Sequence, residues 1–266
     1  MIFKTSNQGK NEERTAEYID KWDTERTLKV LIRKESPLIF DVGANNGSSI
    51  HDFKGWWPKS DIHCFEPQKE CYQDLLDAAE AYKTLGNVKI NPFAVGSTPT
   101  ENATFYTHDI NTGISGFNKI NIDSKDSINL QKLDETGGDA KEAYAETLNH
   151  DRKVKVIRLD DYIDSIDPNL NIDFLKIDTQ GFEPEVLDGL GDKLKNVDVV
   201  LTELMFYDFY ERSLSFSDIE KFLLKYNFTL YDISHISKNP MNGRTDWIDV
   251  IYVNNRILNA NKYRIK

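Results

Sequence analysis

Cysteine is nearly absent: Cys64 and Cys71 are the only two in 266 residues. Cys64 falls in a strand-like run and Cys71 on the helix after it, so both read as free buried thiols rather than a disulfide or a metal site. No apolar run approaches the ~20 residues needed to cross a bilayer. The opening stretch MIFKTSNQGKNEERTAEY has neither the apolar centre nor the small-residue cleavage site of a signal peptide, and a cytoplasmic protein is expected. Positive charge is also short, with 33 Lys and Arg against 44 Asp and Glu and a formal charge of −11. Without a clustered Lys/Arg face such a surface repels a phosphate backbone, so nucleic acid is not an expected partner. No HxH, HxxxD or cysteine cluster is present to hold a transition metal, and no internal repeat occurs. What remains, 39% hydrophobic and 29% charged residues, is the composition of a soluble globular chain and excludes wholesale disorder.

The hydrophobic pattern divides the chain into three parts. Residues 1–36 read as an N-terminal helical extension, carried by Tyr18, Ile19, Trp22, Leu28, Leu31 and Ile32. Residues 37–253 read as one α/β domain, followed by a tail over 254–266. In the domain, the apolar run Leu38 to Val42 ends at Gly43 and predicts a strand buried on both faces. Ile62 to Phe65 predicts a second strand, Gln68 to Leu85 a helix, and Val88, Ile90 and Phe93 a third strand. Strand alternating with helix implies right-handed βαβ units in a parallel sheet. The rhythm fails over about 103–153, which reads as an insertion across the sheet edge serving as a substrate lid. Strands resume at Val154 to Leu159, Ile172 to Ile177 and Val197 to Leu204, with a helix from Glu183 to Leu194 between the last two. A helix from Ser217 to Tyr226, with Ser217 and Glu220 as its capping box, precedes a closing hairpin of Phe228 to Ile233 and Trp247 to Val253.

The sharpest local feature is Asp41-Val-Gly-Ala-Asn-Asn-Gly47, where the first strand gives way to a helix. Gly43 and Gly47 permit a sharp turn and close backbone approach, and N–H groups at a helix start favour an anion. The next strand ends in Glu66-Pro67, 25 residues beyond Asp41, a spacing that suits an acid accepting hydrogen bonds from ribose hydroxyls. A pyrophosphate-binding dinucleotide loop needs GxGxxG, and the middle glycine is missing here. In its place Asp41 and Asn45 offer a carboxylate and an amide suited to the amino acid end of S-adenosylmethionine. A second constellation, Asp173 to Gly189, delivers Asp178 to a strand's carboxyl end, where open α/β sheets bind ligands. Asp178 and Glu203 are the preferred catalytic carboxylates, with His108 and His150 as weaker candidates for a base and His51 and His63 as structural residues. Asp178, Glu203 and Gln180 offer hard oxygen donors to Mg²⁺, but a metal is not favoured. The aromatic run Met205 to Tyr210 and the pair Trp56-Trp57 are candidate walls for a sugar ring.

The loop DVGANNG, the FEP of Phe65 to Pro67, LDDY at Leu159 to Tyr162 and above all FLKIDTQGFEPEVLDGL resemble the FkbM-type S-adenosylmethionine-dependent methyltransferases over about residues 37–253. The resemblance implies a Rossmann-like class I methyltransferase fold, with a mostly parallel seven-stranded sheet, helices on both faces and an insertion before the fourth core strand. It implies S-adenosylmethionine as cofactor and methylation of a hydroxyl on a carbohydrate or related small molecule. It places Asp41, Gly43, Asn45 and Gly47 at the methionine part, Glu66 at the ribose and the stretch Pro92 to Gly96 at the adenine, and counts Ala44, Pro67, Phe93 and Ala94 among the cofactor-binding residues. Gln180 departs from the pattern, because the family commonly has Glu there, and a neutral amide weakens any two-carboxylate metal or base site. A nicotinamide-dependent oxidoreductase and a non-catalytic binding protein on the same fold stand as alternatives. The acceptor, a neutral glycan or small alcohol to judge from the acidic insertion, and the oligomeric state carry no readable motif.

Overall fold

The computed structural model describes residues 22–109, 111–124, 138–240 and 242–261. Strands β1 (Leu38–Val42), β2 (Asp61–Phe65), β3 (Val88–Asn91), β7 (Ile172–Ile177), β8 (Val197–Met205), β9 (Phe228–Lys238) and β10 (Thr245–Asn254) form one sheet in the order β3-β2-β1-β7-β8-β10-β9. The first five run parallel, and β10 pairs antiparallel with both β8 and β9. This is the expected Rossmann-like arrangement, with order reversing between β1 and β7, where ligands of such sheets bind.

Alternation along each strand builds two apolar layers. Phe40, Val42, Leu175 and Ile177 point into one, against α5 (Leu159–Ile166), α6 (Glu183–Leu190) and α7 (Phe216–Leu223). Ile39, Cys64 and Phe174 point into the other, against α1 (Thr24–Leu31), α2 (Ser48–Trp56) and α3 (Tyr72–Ala81). Both cysteines are buried and unbridged. Trp56 and Trp57 belong to this second layer, edge-on to each other and packed about Phe53 and Phe174, so their role is core and rim packing. No helix among the described residues is long and apolar enough to cross a membrane.

Three expectations are corrected. Val154 to Leu159 is not a core strand: β6 (His150–Ile157) joins β4 (Ala94–Val95) and β5 (Thr100–Thr107) in a separate three-stranded sheet, and Leu159 already begins α5. The reason is visible in its alternation, since Val154 and Val156 are buried while Lys153 and Lys155 face solvent, the pattern of a one-sided sheet. Phe93 does not extend β3, because the chain breaks at Asn91 and turns into the second sheet at Ala94. The capping box of α7 uses Ser215 and Asp218 rather than Ser217 and Glu220. Tyr18 and Ile19 of the N-terminal extension, and residues 125–137 of the insertion, lie outside the described residues; within the insertion a helix α4 (Gly138–Glu146) is described.

The tips of β1 and β7 meet at Gly43. Its φ is +85°, and a Cβ there would lie 1.9 Å from the carbonyl oxygen of Asp178. That oxygen is backbone, held by the Asp178 N–H to Val42 O bond of 3.0 Å, so it cannot swing away. Gly43→Ala is therefore expected to lower stability by about 3 kcal/mol or more, read as a fall in the urea midpoint at unchanged slope.

Candidate active site

Each strand tip contributes one part of the site. The turn after β1 passes through three left-handed residues, Gly43, Asn45 (φ 45°) and Gly47 (φ 84°), before α2 begins at Ser48. Gly43 N and Ala44 N donate to Phe65 O at 3.0 and 3.2 Å, tying this turn to the end of β2. There Glu66, 3% exposed, accepts from Asn45 N through Oε2 at 2.9 Å and from Gln68 N through Oε1 at 2.8 Å. Burial pushes its carboxyl up to about 7, although the two backbone N–H bonds favour the charged form.

These tips enclose a cavity of about 380 Å³, the size of a small-ligand site. Gly43, Ala44, Asn45, Glu66, Pro67, Ala94 and Asp178, all expected site residues, line it. Asp41, Gly47 and Phe93 are not on its wall. Asp41 is fully buried beneath it, accepting from Ser49 Oγ and lying 3.5 Å from Lys176 Nζ. Gly47 precedes the first turn of α2 and faces Leu75 and Ala78 of α3. Phe93 packs on Phe65 and Tyr162 behind the cavity.

The residues missed at the sequence level include Lys176, Phe105, Thr112, Gly113 and Phe117. Lys176 Nζ lies between the buried Asp41 and Asp178, 3.3 Å from Asp178 Oδ2. Burial alone would lower the Lys176 ammonium, but the Asp178 and Asp41 carboxylates outweigh it and its pKa is raised. A lysine near the tip of a strand whose other residues, Asp173 apart, are apolar is the signal for it, since a largely buried cation calls for a partner. The insertion reaches the site through Thr112, whose hydroxyl donates to Asn45 Oδ1 at 2.8 Å and whose carbonyl accepts from Gln68 Nε2 at 3.2 Å. No sequence pattern marks that clasp.

Glu203 lies in a neighbouring cavity of about 410 Å³ with Tyr207, Phe209, Asp246 and Trp247. Gly113 and Gln180 line both chambers. Gln180 Nε2 donates to Asp178 Oδ1 at 2.7 Å and to Glu203 Oε2 at 3.2 Å, and its Oε1 accepts from the Tyr210 hydroxyl at 2.7 Å. Burial, then the charges of Asp178, Glu183 and Asp249, hold the Glu203 carboxyl well above the usual range. Asp249 is its direct cross-strand partner on β10, and like charges so placed repel. The rings of Phe209 and Tyr207 stack at 5.5 Å and 27°, and Tyr207 faces Trp247 at 6.3 Å and 31°, giving a row of aromatic faces. His108 and His150 join neither chamber. His108 Nδ1 accepts from Asn149 N at 3.0 Å and burial pushes its pKa down to about 4, whereas His150 pairs with Asp109 at 3.1 Å. Among the described residues no group of three or more His, Cys, Asp or Glu side chains is placed to hold a metal ion.

The chain is similar to known methyltransferases. Residues 41–230 match the methyltransferase FkbM domain. The 2-O-methyltransferase NoeI of Sinorhizobium fredii is 25% identical over 205 residues, 71% of this chain and 72% of that protein. Methyltransferase 1 of Beauveria bassiana is 29% identical over 173 residues, 64% of this chain and 65% of that protein. Among solved structures, precorrin-6y C5,15-methyltransferase from Geobacter metallireducens GS-15 aligns with a TM-score of 0.42 at 12% identity, covering 85% of this chain and 84% of that one. M. capricolum TrmK, in complex with S-adenosylhomocysteine, aligns at 0.43 and 10%, covering 87% and 67%. With the match running from Asp41 at the first strand tip to beyond Glu203, the nicotinamide alternative falls. The chain belongs to the FkbM methyltransferase domain family and is an S-adenosylmethionine-dependent methyltransferase.

Proposed function

We propose that the chain methylates a hydroxyl oxygen of a carbohydrate or related polyhydroxylated small molecule, with the cofactor in the chamber at the strand tips and the acceptor in the one beside it. The observation that carries this reading is that the two chambers share the walls Gly113 and Gln180, and that only the second contains Glu203 and the aromatic row. The name of the Sinorhizobium relative, a 2-O-methyltransferase, supports oxygen as the atom methylated.

The cofactor chamber fits adenosine joined to an amino acid. Glu66 keeps lone pairs for two ribose hydroxyls beyond its bonds to Asn45 N and Gln68 N. Ala94, Val95, Phe105 and Phe117 supply apolar surface for the adenine, and Lys176 with Asp178 offers opposite charges to a carboxylate and an amino group. When bound, S-adenosylmethionine supplies an electrophilic methyl group. The chain's part is to exclude water, hold the acceptor oxygen in line and take its proton, with Glu203 as the base. A base whose pKa lies well above the ordinary carboxylate range is closer to neutral pH, where proton transfer is most effective. In the acceptor chamber sugar C–H faces suit the Tyr207, Phe209 and Trp247 rings. Its acids Glu203 and Asp246, the latter 3.4 Å from Arg244 Nη2, favour an uncharged acceptor over an anionic one. Incubation with methyl-labelled cofactor and a set of neutral, uronate and phosphorylated glycosides tests this. Label is expected in O-methyl ethers of neutral members, and transfer confined to nitrogen or to anionic acceptors overturns it.

A pH dependence follows from Glu66. Its folded-state pKa, about 7 against an ordinary 4.5, is raised, so in the unliganded protein its stabilising contribution is full below about 4.5 and lost by about 7. Ribose hydroxyls donate to the ionised form, so the sign for binding is opposite. Affinity for S-adenosylhomocysteine should rise about tenfold between pH 6 and pH 8 and then level off. Calorimetry should find this rise in the parent and a flat profile in Glu66→Gln.

A further inference from the structure

Gln180 occupies a backbone position that its side chain does not favour. It has φ 56° and is followed by Gly181 at 90°, two successive left-handed residues directly after Thr179. The turn is held by Glu183, whose Oε1 accepts from Thr179 N at 2.9 Å and Gly181 N at 3.2 Å, and by Asn118 Nδ2, which donates to Gln180 O at 3.2 Å. Strain of this kind persists only where the surroundings over-determine it. Its outcome here is that the amide projects between two carboxylates, with one N–H for each, while its oxygen receives the Tyr210 hydroxyl. The amide is assigned by these partners, since the reverse orientation would set its oxygen against both acids.

The geometry points to Gln180 as a positioning residue for the base: its amide N–H groups hold the Asp178 and Glu203 carboxylates on either side of it and let Glu203 ionise without sharing a proton with Asp178. An amide donates to both acids at any pH and adds no charge. A carboxylate in the same place donates to neither unless it first takes up a proton, and then the three acids titrate as one cluster. The groups facing Glu203 are Asp178 and Lys176 from β7 and its exit, Glu183 from α6, Asp249 from β10, and the phenols Tyr207 and Tyr210. Of these only Lys176 is a cation, and it lies against Asp178 and Asp41. The Gln180 amide, at 3.2 Å, is the neutral group that donates to Glu203 Oε2, and its removal leaves that carboxylate among acids.

This inference rests on the reading of Glu203 as the base, but its test does not depend on turnover. Glutamate carboxyl carbons are labelled with ¹³C in the full chain, and the Glu203 resonance is identified by its loss in Glu203→Gln. Its titration is then followed in the parent, Gln180→Leu, Gln180→Glu and Tyr210→Phe, with near-ultraviolet circular dichroism reporting the fold. Gln180→Leu is expected to move the Glu203 midpoint up by about one pH unit or more, and Gln180→Glu to do so with a two-step curve. Tyr210→Phe, which only releases the amide oxygen, should move it less in the same direction. A merely structural role would alter the dichroism or melting and leave the midpoint in place. Midpoints equal to the parent's in folded Gln180→Leu overturn the proposal, and should that variant not fold, an unmoved midpoint in Tyr210→Phe does so. Absence of methyl transfer to any glycoside overturns the functional reading and leaves the titration result standing.

Discussion

Glu203→Gln is expected to lower kcat for methyl transfer by about 10²- to 10⁴-fold, the range for loss of a positioned general base, and to leave affinity for S-adenosylhomocysteine within about threefold. The asymmetry follows from position. Glu203 lines the cavity proposed for the acceptor and not the one at the strand tips proposed for the cofactor, so the cofactor product is expected to lose no contact. Shape is retained as well, because a glutamine at 203 still offers an oxygen to the Gln180 amide that now donates at 3.2 Å. What disappears is the proton acceptor. Initial rates with a transferring glycoside, paired with calorimetry, separate the two quantities. Equal losses in both would move Glu203 from proton transfer to cofactor binding.

The second large effect concerns Glu66. Glu66→Ala should weaken S-adenosylhomocysteine about a hundredfold, the sum of charge-assisted bonds to ribose hydroxyls worth roughly 1.5 to 3 kcal/mol each, partly offset by water entering the gap. Part of the loss is indirect, because Asn45 N and Gln68 N lose their acceptor and the turn around the cavity loosens. Glu66→Gln divides the two contributions. Its amide oxygen replaces one acceptor for a backbone N–H but not the charge, so an intermediate loss is expected. Direct calorimetry at pH 8, where the parent Glu66 is ionised, checks both values.

How far the sequence reveals this molecule depends on how many faces an element buries. β1, β2, β7 and β8 were legible because they are covered on both sides, and a mostly apolar run ending near Gly43, Glu66 or Asp178 reads as a buried strand in an α/β chain. β6 was misassigned to the main sheet. Its alternating valines and lysines carry a one-sided strand whose partner, β5, cannot be read from local pattern. The residues expected at the site lie at one end of the sheet but do not all face one surface. Asp41 sits at the right strand end, yet its side chain turns inward to Lys176 and Ser49, a distinction set by the pleat and by the lysine two strand positions before Asp178. Phe93 failed for the same reason, pointing to Phe65 and Tyr162 while its neighbour Ala94 reaches the cavity. The insertion over 103–153 was legible as a cover on the sheet edge, but the residues by which it reaches the cavity were not. Thr112 and Gly113 lie in a single 3₁₀ turn (Thr112–Ile114) too short to leave a period in the sequence, and only three-dimensional closure over Asn45 and Gln68 brings them and Phe117 to the cavity. Gln180 was visible as a departure from the family pattern, but its partner Tyr210, 30 positions further along, was not.

In the proposed reading one cavity at the tips of β1, β2 and β7 holds the cofactor and meets the acceptor cavity at Gln180. A crystal structure with S-adenosylhomocysteine tests it most directly. The ribose hydroxyls are expected on Glu66, the adenine against Phe105 and Phe117, and the sulfur turned towards Gln180. Density for the ligand in any other hollow, or in this one with the adenine towards Gln180 and the amino acid end at Phe117, would contradict it.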